Sequence, residues 1–338
     1  MKKILEKLAS AQDLTPGEAE EAMSIIMGGR ASDQEIKSFL LGLKSKGETI
    51  DEIAAFTRVL RQFATRVACK PELADRLVDT CGSGGDLLDT FNISTTAAFV
   101  AAGAGVPVAK HGNRAVSSKS GSADVLEKLG VKIDSGPEDV CRCIEQAGIG
   151  FMYARTFHGA MKNVAQARKE LATRTVFNIL GPLISPAEVK HQVYGVFDHA
   201  LTEKLAGVLK HLGSVHALVV HGMDGLDELS TLGKTKISEL RNGIVESYYI
   251  EPEEYGLKRA KPEQLRGGPP EKNAEILMNI LQGEDGPRRD IVVLNAGAAI
   301  YSADAARTLK SGIEMAQSSI DSDSAMDRLQ RLIEVSNG

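Results

Sequence analysis

Apolar positions along this chain follow two different rhythms. Up to about residue 70 they recur at helical spacing, and no alternating stretch interrupts them. The opening MKKILEKLASAQDL reads as an amphipathic helix with charges every few residues. TPGEAEEAMSIIMGG follows, with a Thr cap, a Pro in the first turn and Gly-Gly at its end. ASDQEIKSFLLGLKSKG and TIDEIAAFTRVLRQFA repeat that design with their own caps. These segments predict a small all-helical unit.

The rhythm changes at LVDTCGSGGD (77–86), a short β-rich run that breaks into glycines. GVPVAKHG then ends a strand, DVLEKLG reads as helix, VKIDSG as strand, PEDVCRCIEQAG as helix and IGFMYA as strand. Further on, HQVYGVF, HALVVHG and DIVVLNAG predict three more strands, with helices such as LTEKLAGVLKHLG between them. Alternation of this kind predicts an α/β domain with a mainly parallel sheet. NVAQARKELATRTVFNILGPL returns to helical spacing. The predicted organisation is a helical domain over 1–72, completed by about 163–188, and a larger α/β domain over 73–162 and 189–338. A chain of 338 residues accommodates two such unequal domains.

A net charge of −5 argues against a general nucleic-acid binder, so any phosphate must be held locally. The N-terminal helix lacks the apolar core of an export signal. The longest uncharged apolar run, 97–109, is too short and too rich in Gly and Ala to span a bilayer. Four cysteines (Cys69, Cys81, Cys141, Cys143) show no paired metal spacing. Cys141 and Cys143 fall on divergent faces of a predicted helix, which suits neither zinc nor a disulfide. The expectation is reduced thiols in a cytoplasmic protein.

Four polar segments carry candidate chemistry. GSGGD (82–86) ends a strand, where glycine lets bare backbone approach a ligand and present N–H groups to an anion. Taken alone it reads as a tight turn. Within a few residues, however, Asn92, Ser94 and Thr95 stand where an Ala-rich helix begins. A helix N-terminus with hydroxyls is either ordinarily capped or a phosphate site. Two such elements in succession favour phosphate. The third is AKHGNRAVSSKSGSADVLEKLG (109–130), which supplies Lys110, Arg114 and Lys119, four serines and the freedom of Gly112 and Gly121. A solvated surface loop is the plain reading, but this loop follows a strand. Ligands of open α/β sheets bind beyond the carboxyl ends of the strands, which favours a loop that closes over a polyanion.

The fourth segment follows HALVVHG, where Asp227 and Glu228 are adjacent. Isolated, they are an acidic turn. Beside three phosphate elements they suit Mg²⁺, which takes hard oxygen donors and substrate phosphate. Of seven histidines only His111 and His158 fall inside candidate segments. There is no HExxH, no Walker A sequence and no defensible Ser-His-Asp order, and nothing calls for a nucleophilic side chain.

GSGGD, TFNIST, AKHGNRAVSSKSGSADVLE, ARKELATRTVFNILGPL and HGMDGLDELS occur in the order and spacing of the anthranilate phosphoribosyltransferases, which this sequence resembles over nearly its whole length, LNAGAAIY (294–301) included. Two departures are visible. Ser83 replaces the usual Thr of GTGGD, keeping the hydroxyl, and ELATRT stands where a Gly is common.

The resemblance implies the two-domain fold shared with nucleoside phosphorylases, with the active site in the cleft and a cytoplasmic homodimer formed through the helical domain. It implies phosphoribosyl transfer from phosphoribosyl pyrophosphate to the amine of anthranilate, with two Mg²⁺ per subunit and no nucleic-acid or membrane partner. Carried onto this chain, Gly82, Gly85, Asp86, Thr90, Asn92, Ile93, Ser94 and Thr95 would hold the donor. Lys110, His111, Gly112, Asn113, Arg114, Ala115, Val116, Ser117 and Ser118 would wrap its phosphates, with Ser122 nearby. Asp227 and Glu228 would be the principal metal carboxylates, Ser94 would lie near one ion, and Asn113, Arg168 and the Gly82 backbone would face anthranilate. Displacing pyrophosphate at an anomeric carbon chiefly requires a stabilised leaving group, and an aromatic amine is already neutral at pH 7. Catalysis would therefore rest on positioning and electrostatics, with no catalytic residue of its own.

Two rivals share some of these features. A pyrimidine nucleoside phosphorylase has the same architecture but lacks KHGNR. A descendant that lost catalysis and binds nucleic acid sits badly with the negative charge and the Asp227-Glu228 pair.

Overall fold

Three capping boxes set the start of the chain. Thr15, Ser32 and Thr49 each accept a hydrogen bond from the backbone N–H three residues on, at Glu18, Glu35 and Glu52, and those carboxylates bond back to the cap N–H. They open helices α2 (Pro16–Met27), α3 (Asp33–Lys46) and α4 (Ile50–Phe63), which pack with α1 (Lys2–Ala9). Glu52 is fully buried yet satisfied, accepting from the Leu14 N–H at 2.8 Å and from Lys46 Nζ at 2.7 Å. The computed structural model describes residues 1–84, 88–115 and 119–338.

The described strands are β1 (Val78–Gly82), β2 (Val108–Gly112), β3 (Ile149–Tyr153), β4 (His191–Gly195), β5 (His216–Gly222), β6 (Thr235–Arg241) and β7 (Ile244–Ile250). They form one sheet in the order β3-β2-β1-β4-β5-β6-β7, parallel through β5 and antiparallel thereafter. After α5 (Pro71–Ala74), the helices between strands are α6 (Ile93–Gly103), α7 (Ser122–Lys128), α8 (Pro137–Ala147), α9 (Ala154–Phe157), α10 (Lys162–Leu171), α11 (Phe177–Leu180) and α12 (Leu201–His211). The chain ends with α13 (Pro270–Leu281), α14 (Pro287–Ser302), α15 (Leu309–Asp321) and α16 (Ser324–Asn337).

Successive residues of β5 feed opposite cores, as a pleated strand requires. Leu218 and Val220 join α6, α14 and α16 on one face. Ala217 and Val219 join a second core with the N-terminal helices, α10, α11 and α12. Val164, Ala167, Phe177 and Leu183 belong to that second core, so residues 162–184 pack with the N-terminal helices rather than with the outer layer. The molecule is a small helical unit joined to a larger α/β unit.

Three readings of the sequence are corrected. DIVVLNAG is not a strand but the middle of α14, where residues 291–300 are all buried. A helix buried on every side has no polar face to reveal its period. VKIDSG is not a strand either. Its Val131 and Ile133 turn into the core while the Lys132 N–H donates to Ser336 Oγ at 3.2 Å, so this backbone is held by α16 instead of a sheet edge.

The cysteines are the third correction. Cys69 and Cys141 form a disulfide with Cα atoms 5.5 Å apart, while Cys81 and Cys143 are free. The partners are 72 residues apart, a pairing that spacing cannot reveal. The β6–β7 hairpin, by contrast, escaped a readable signal. Asn242-Gly243 both have positive φ, at 51° and 74°, and join two alternating strands.

Candidate active site

The carboxyl ends of β1, β2 and β4 meet where strand order departs in both directions from β1, the place where an open α/β sheet leaves a crevice. Lys110 is carried there by β2 and is 2% exposed. Burial pushes its ammonium below the usual lysine range, and the Asp79 carboxylate on β1 opposes that effect. Its Nζ donates to the Thr80 carbonyl and lies 3.4 Å from Ser94 Oγ. Asp79 is itself fully buried, and burial raises it to about 6, while its Oδ1 accepts the His111 N–H at 3.1 Å.

The start of α6 is tied to both neighbours. Thr80 Oγ1 donates to the Ser94 carbonyl at 3.1 Å, and Thr95 Oγ1 donates to Ser122 Oγ at 3.0 Å. Asn92, at the N-cap position, makes no cap bond with its side chain. It spans instead, with Nδ2 donating to the Ser120 carbonyl at 3.2 Å and Oδ1 accepting from Asn273 at 2.8 Å. Ile93 anchors this turn in the core, and Thr90 pairs across a β-bridge with Arg266. The end of β1, the α6 N-terminus and residues 110, 120 and 122 thus converge.

Asp227 faces the glycine turn. It is 8% exposed, and its Oδ2 accepts the Gly84 N–H at 2.7 Å. A Cβ on Gly82 would collide with that carboxylate, and one on Gly195 would fall on the Asp227 carbonyl, so both glycines are needed for close approach. Ser83 makes the same region fast, since its Oγ accepts the Phe197 N–H at 3.1 Å. Burial raises Asp227 above the ordinary carboxylate range, and the charge of Glu228 is close enough to bear on Lys110.

Among the described residues no cluster of three or more His, Cys, Asp and Glu side chains could hold a metal by itself. Two carboxylates and the Ser94 hydroxyl are a hard, incomplete donor set. Such a set fits Mg²⁺, whose remaining positions go to water and substrate phosphate.

His111 and His158 form a buried pair, with Nε2 atoms 3.2 Å apart. Burial lowers His111 to about 3, helped by His158 and Lys110, and lowers His158 to about 4. Both are therefore neutral at pH 7 and hold each other by one shared proton. The His111 ring also bonds the backbone of Gly181, just past α11. On the other side of α11, the Arg168 guanidinium of α10 lies over the Phe177 ring at 5.2 Å. Burial lowers its basicity. Glu170, two residues further along α10, is bonded to Lys37 at 2.7 Å.

Arg114 is placed differently from the other basic residues. Its guanidinium bonds Asp124 and Glu127 on α7, each at 2.9 Å, and lies 5.8 Å from the Tyr153 ring. Exposed Asn113 bonds its own loop, Oδ1 accepting the Arg114 N–H at 2.8 Å. Gly112 is held against Phe151 and Ser122 with no room for a Cβ. Gly85, Asp86, Val116, Ser117 and Ser118 lie outside the described residues. Asp79 and Asn273 are the supporting residues that sequence reasoning missed. Asn273 stands 181 positions from Asn92 and carries no motif.

Residues 2–64 match the family model "Glycosyl transferase family, helical bundle domain", and residues 74–326 match "Glycosyl transferase family, a/b domain". The chain is 53% identical to an anthranilate phosphoribosyltransferase of Symbiobacterium thermophilum, covering 99% of this chain and 97% of that protein. It is 52% identical to one of Alkaliphilus metalliredigens, covering 99% and 98%. Among solved structures, the anthranilate phosphoribosyltransferase of Thermus thermophilus superposes with a TM-score of 0.93 at 43% identity, with 99% of each chain covered. The Saccharomyces cerevisiae enzyme in complex with phosphoribosyl pyrophosphate and Mg superposes with a TM-score of 0.89 at 27% identity, covering 99% of this chain and 97% of that one. With both family models matched and relatives more than 50% identical over 99% of its length, this chain belongs to the anthranilate phosphoribosyltransferase family.

Proposed function

We propose that this chain transfers the phosphoribosyl group of 5-phosphoribosyl 1-pyrophosphate to the amine of anthranilate, releasing pyrophosphate, as a step of tryptophan biosynthesis. The observation that carries the reading is the convergence of buried Lys110, the α6 N-terminus and the Asp227 carboxylate on one crevice. The turn at Gly82–Gly84, the hydroxyls of Ser94 and Thr95 and the segment from Lys110 to Ser122 would bind the donor. Asp227 and Glu228, with Ser94, would hold two Mg²⁺ per subunit. The metal would supply charge neutralisation for the departing pyrophosphate.

The protein's own part is orientation. Lys110 places a positive charge where negative charge accumulates on the leaving group, in a site that burial has largely dried. Arg168 presents a planar donor fork suited to the anthranilate carboxylate. The amine nucleophile is neutral at pH 7, as are His111 and His158, so no proton need be removed before attack. Purified protein with the donor and Mg²⁺ should quench anthranilate fluorescence, and chelating the metal should stop it. Persistence of anthranilate under those conditions, with thymidine cleaved by phosphate instead, would replace this reading with a phosphorylase.

The helical unit would also carry a homodimer interface. Leu41 on α3 and Phe63 at the end of α4 are 47% and 40% exposed, large apolar groups on the outside of a small bundle. Sedimentation at micromolar concentration should show a dimer, and a monomer would count against this interface.

A further inference from the structure

The Asp124 carboxylate holds both ends of the serine-rich segment. Its Oδ2 accepts the backbone N–H of Ala115 and that of Gly121, each at 2.9 Å. Its Oδ1 accepts from Arg114 Nη1 at 2.9 Å. Arg114 is fixed in turn by a two-bond fork to Glu127, one turn further along α7. The two stems also touch directly, the Ala123 N–H donating to the Asn113 carbonyl at 3.2 Å. A Cβ at Gly121 would stand 2.5 Å from backbone atoms of Asn113, Arg114 and Ala115, so only glycine permits the closure.

A carboxylate beneath a segment that receives phosphate is electrostatically unwelcome, since like charges repel across a partly dried site. The ion pair resolves the conflict. Arg114 offsets the Asp124 charge and leaves the backbone donors of the stems fixed, the remaining negative charge of the trio falling on exposed Glu127. An arginine already committed to two carboxylates has few donors left for a substrate.

We propose that Asp124 is the positioning residue of the phosphate-binding segment and that Arg114 is its counterion, rather than a ligand of the donor. This rests on the reading that residues 110–122 receive the donor's phosphates. Asp124→Ala, Asp124→Asn and Arg114→Ala, singly and as the Asp124→Ala/Arg114→Ala double variant, are compared in steady-state kinetics with both substrates. Amide hydrogen exchange at residues 115 and 121 is measured in parallel on the ligand-free protein.

Asp124→Ala should raise KM for the donor about ten- to a hundredfold, the loss expected for charge-assisted bonds. KM for anthranilate should stay within about threefold, and exchange at both amides should quicken by at least about tenfold. Asp124→Asn should recover part of the donor KM, because its amide oxygen still accepts both N–H groups. Should Asp124→Ala fail to fold, this variant reads the same effect in milder form. Arg114→Ala should add almost nothing once Asp124 is gone, the non-additivity of residues acting as one unit.

Two results overturn the proposal: an unchanged donor KM in both Asp124 variants, or an Arg114→Ala penalty of equal size with and without Asp124. The second would mean that Arg114 meets the donor directly. Lys110→Gln separates the levels. If it too leaves the donor KM unchanged, the placement of the phosphate site fails, whereas a large Lys110 effect beside silent Asp124 variants rejects the clasp alone.

Discussion

Replacing Asp227 by Asn together with Glu228 by Gln should lower kcat by at least about a hundredfold while the protein stays folded. Even residues that merely support a metal's ligands change activity by about 10–100-fold, and here both proposed carboxylates would be lost. The fold should survive for a local reason. Asp227 is buried against the Gly82–Gly84 turn and receives the Gly84 N–H, which an amide oxygen at that position still accepts. Burial disfavours the Asp227 charge, so neutralising it removes a cost instead of adding one. Thermal melts should shift by no more than the equivalent of about 1 kcal/mol, and the dependence of rate on Mg²⁺ should flatten. An unaltered kcat with unaltered metal dependence would reduce the pair to an acidic turn.

Arg168→Ala should separate the two substrates. Removing the charge-assisted, forked partner of a carboxylate costs about 1.5–3 kcal/mol in a shielded site, or roughly ten- to a hundredfold. KM for anthranilate should rise by that factor, and KM for the donor should stay within about threefold. The surroundings favour this outcome. Arg168 sits over Phe177, burial lowers its basicity, and Glu170, two residues on, points to Lys37. Phe177 opens α11, and Gly181, just past its end, bonds His111 on β2, so the helical unit and the crevice share this short segment. A rise in the donor constant instead would move Arg168 to the phosphate side, and unchanged constants would leave it a packing residue.

The legible parts of this molecule are those whose physics is local. Thr15, Ser32 and Thr49 announce their helices because a capping box lies within four residues. β1 to β5 announce themselves by apolar runs broken by glycine, and the glycines at 82 and 121 mark close backbone approaches. What stayed hidden depends on distant partners. α14 imitates a strand because its whole circumference is buried. The motif shows Arg114 without the α7 carboxylates that hold it, and Asn92 without Asn273, which reaches it from the far side of the sequence. The residues of the site could be nominated from motifs, but their commitments to one another could not.

The Cys69–Cys141 bond bears on mechanics. α4 leaves the helical bundle at Phe63, and the chain must cross to β1 before entering the sheet. Thr65 and Val67 are pinned along the way by the carbonyls of Phe157 and Pro186. With Cys69 bonded to α8, this connection is tied down at residues 65, 67 and 69. In a reducing compartment the bond opens, and only the two backbone bonds of Thr65 and Val67 remain. The thiol pair therefore decides how many ties fasten the connection between the helical unit, which carries Arg168, and the sheet, which carries Lys110.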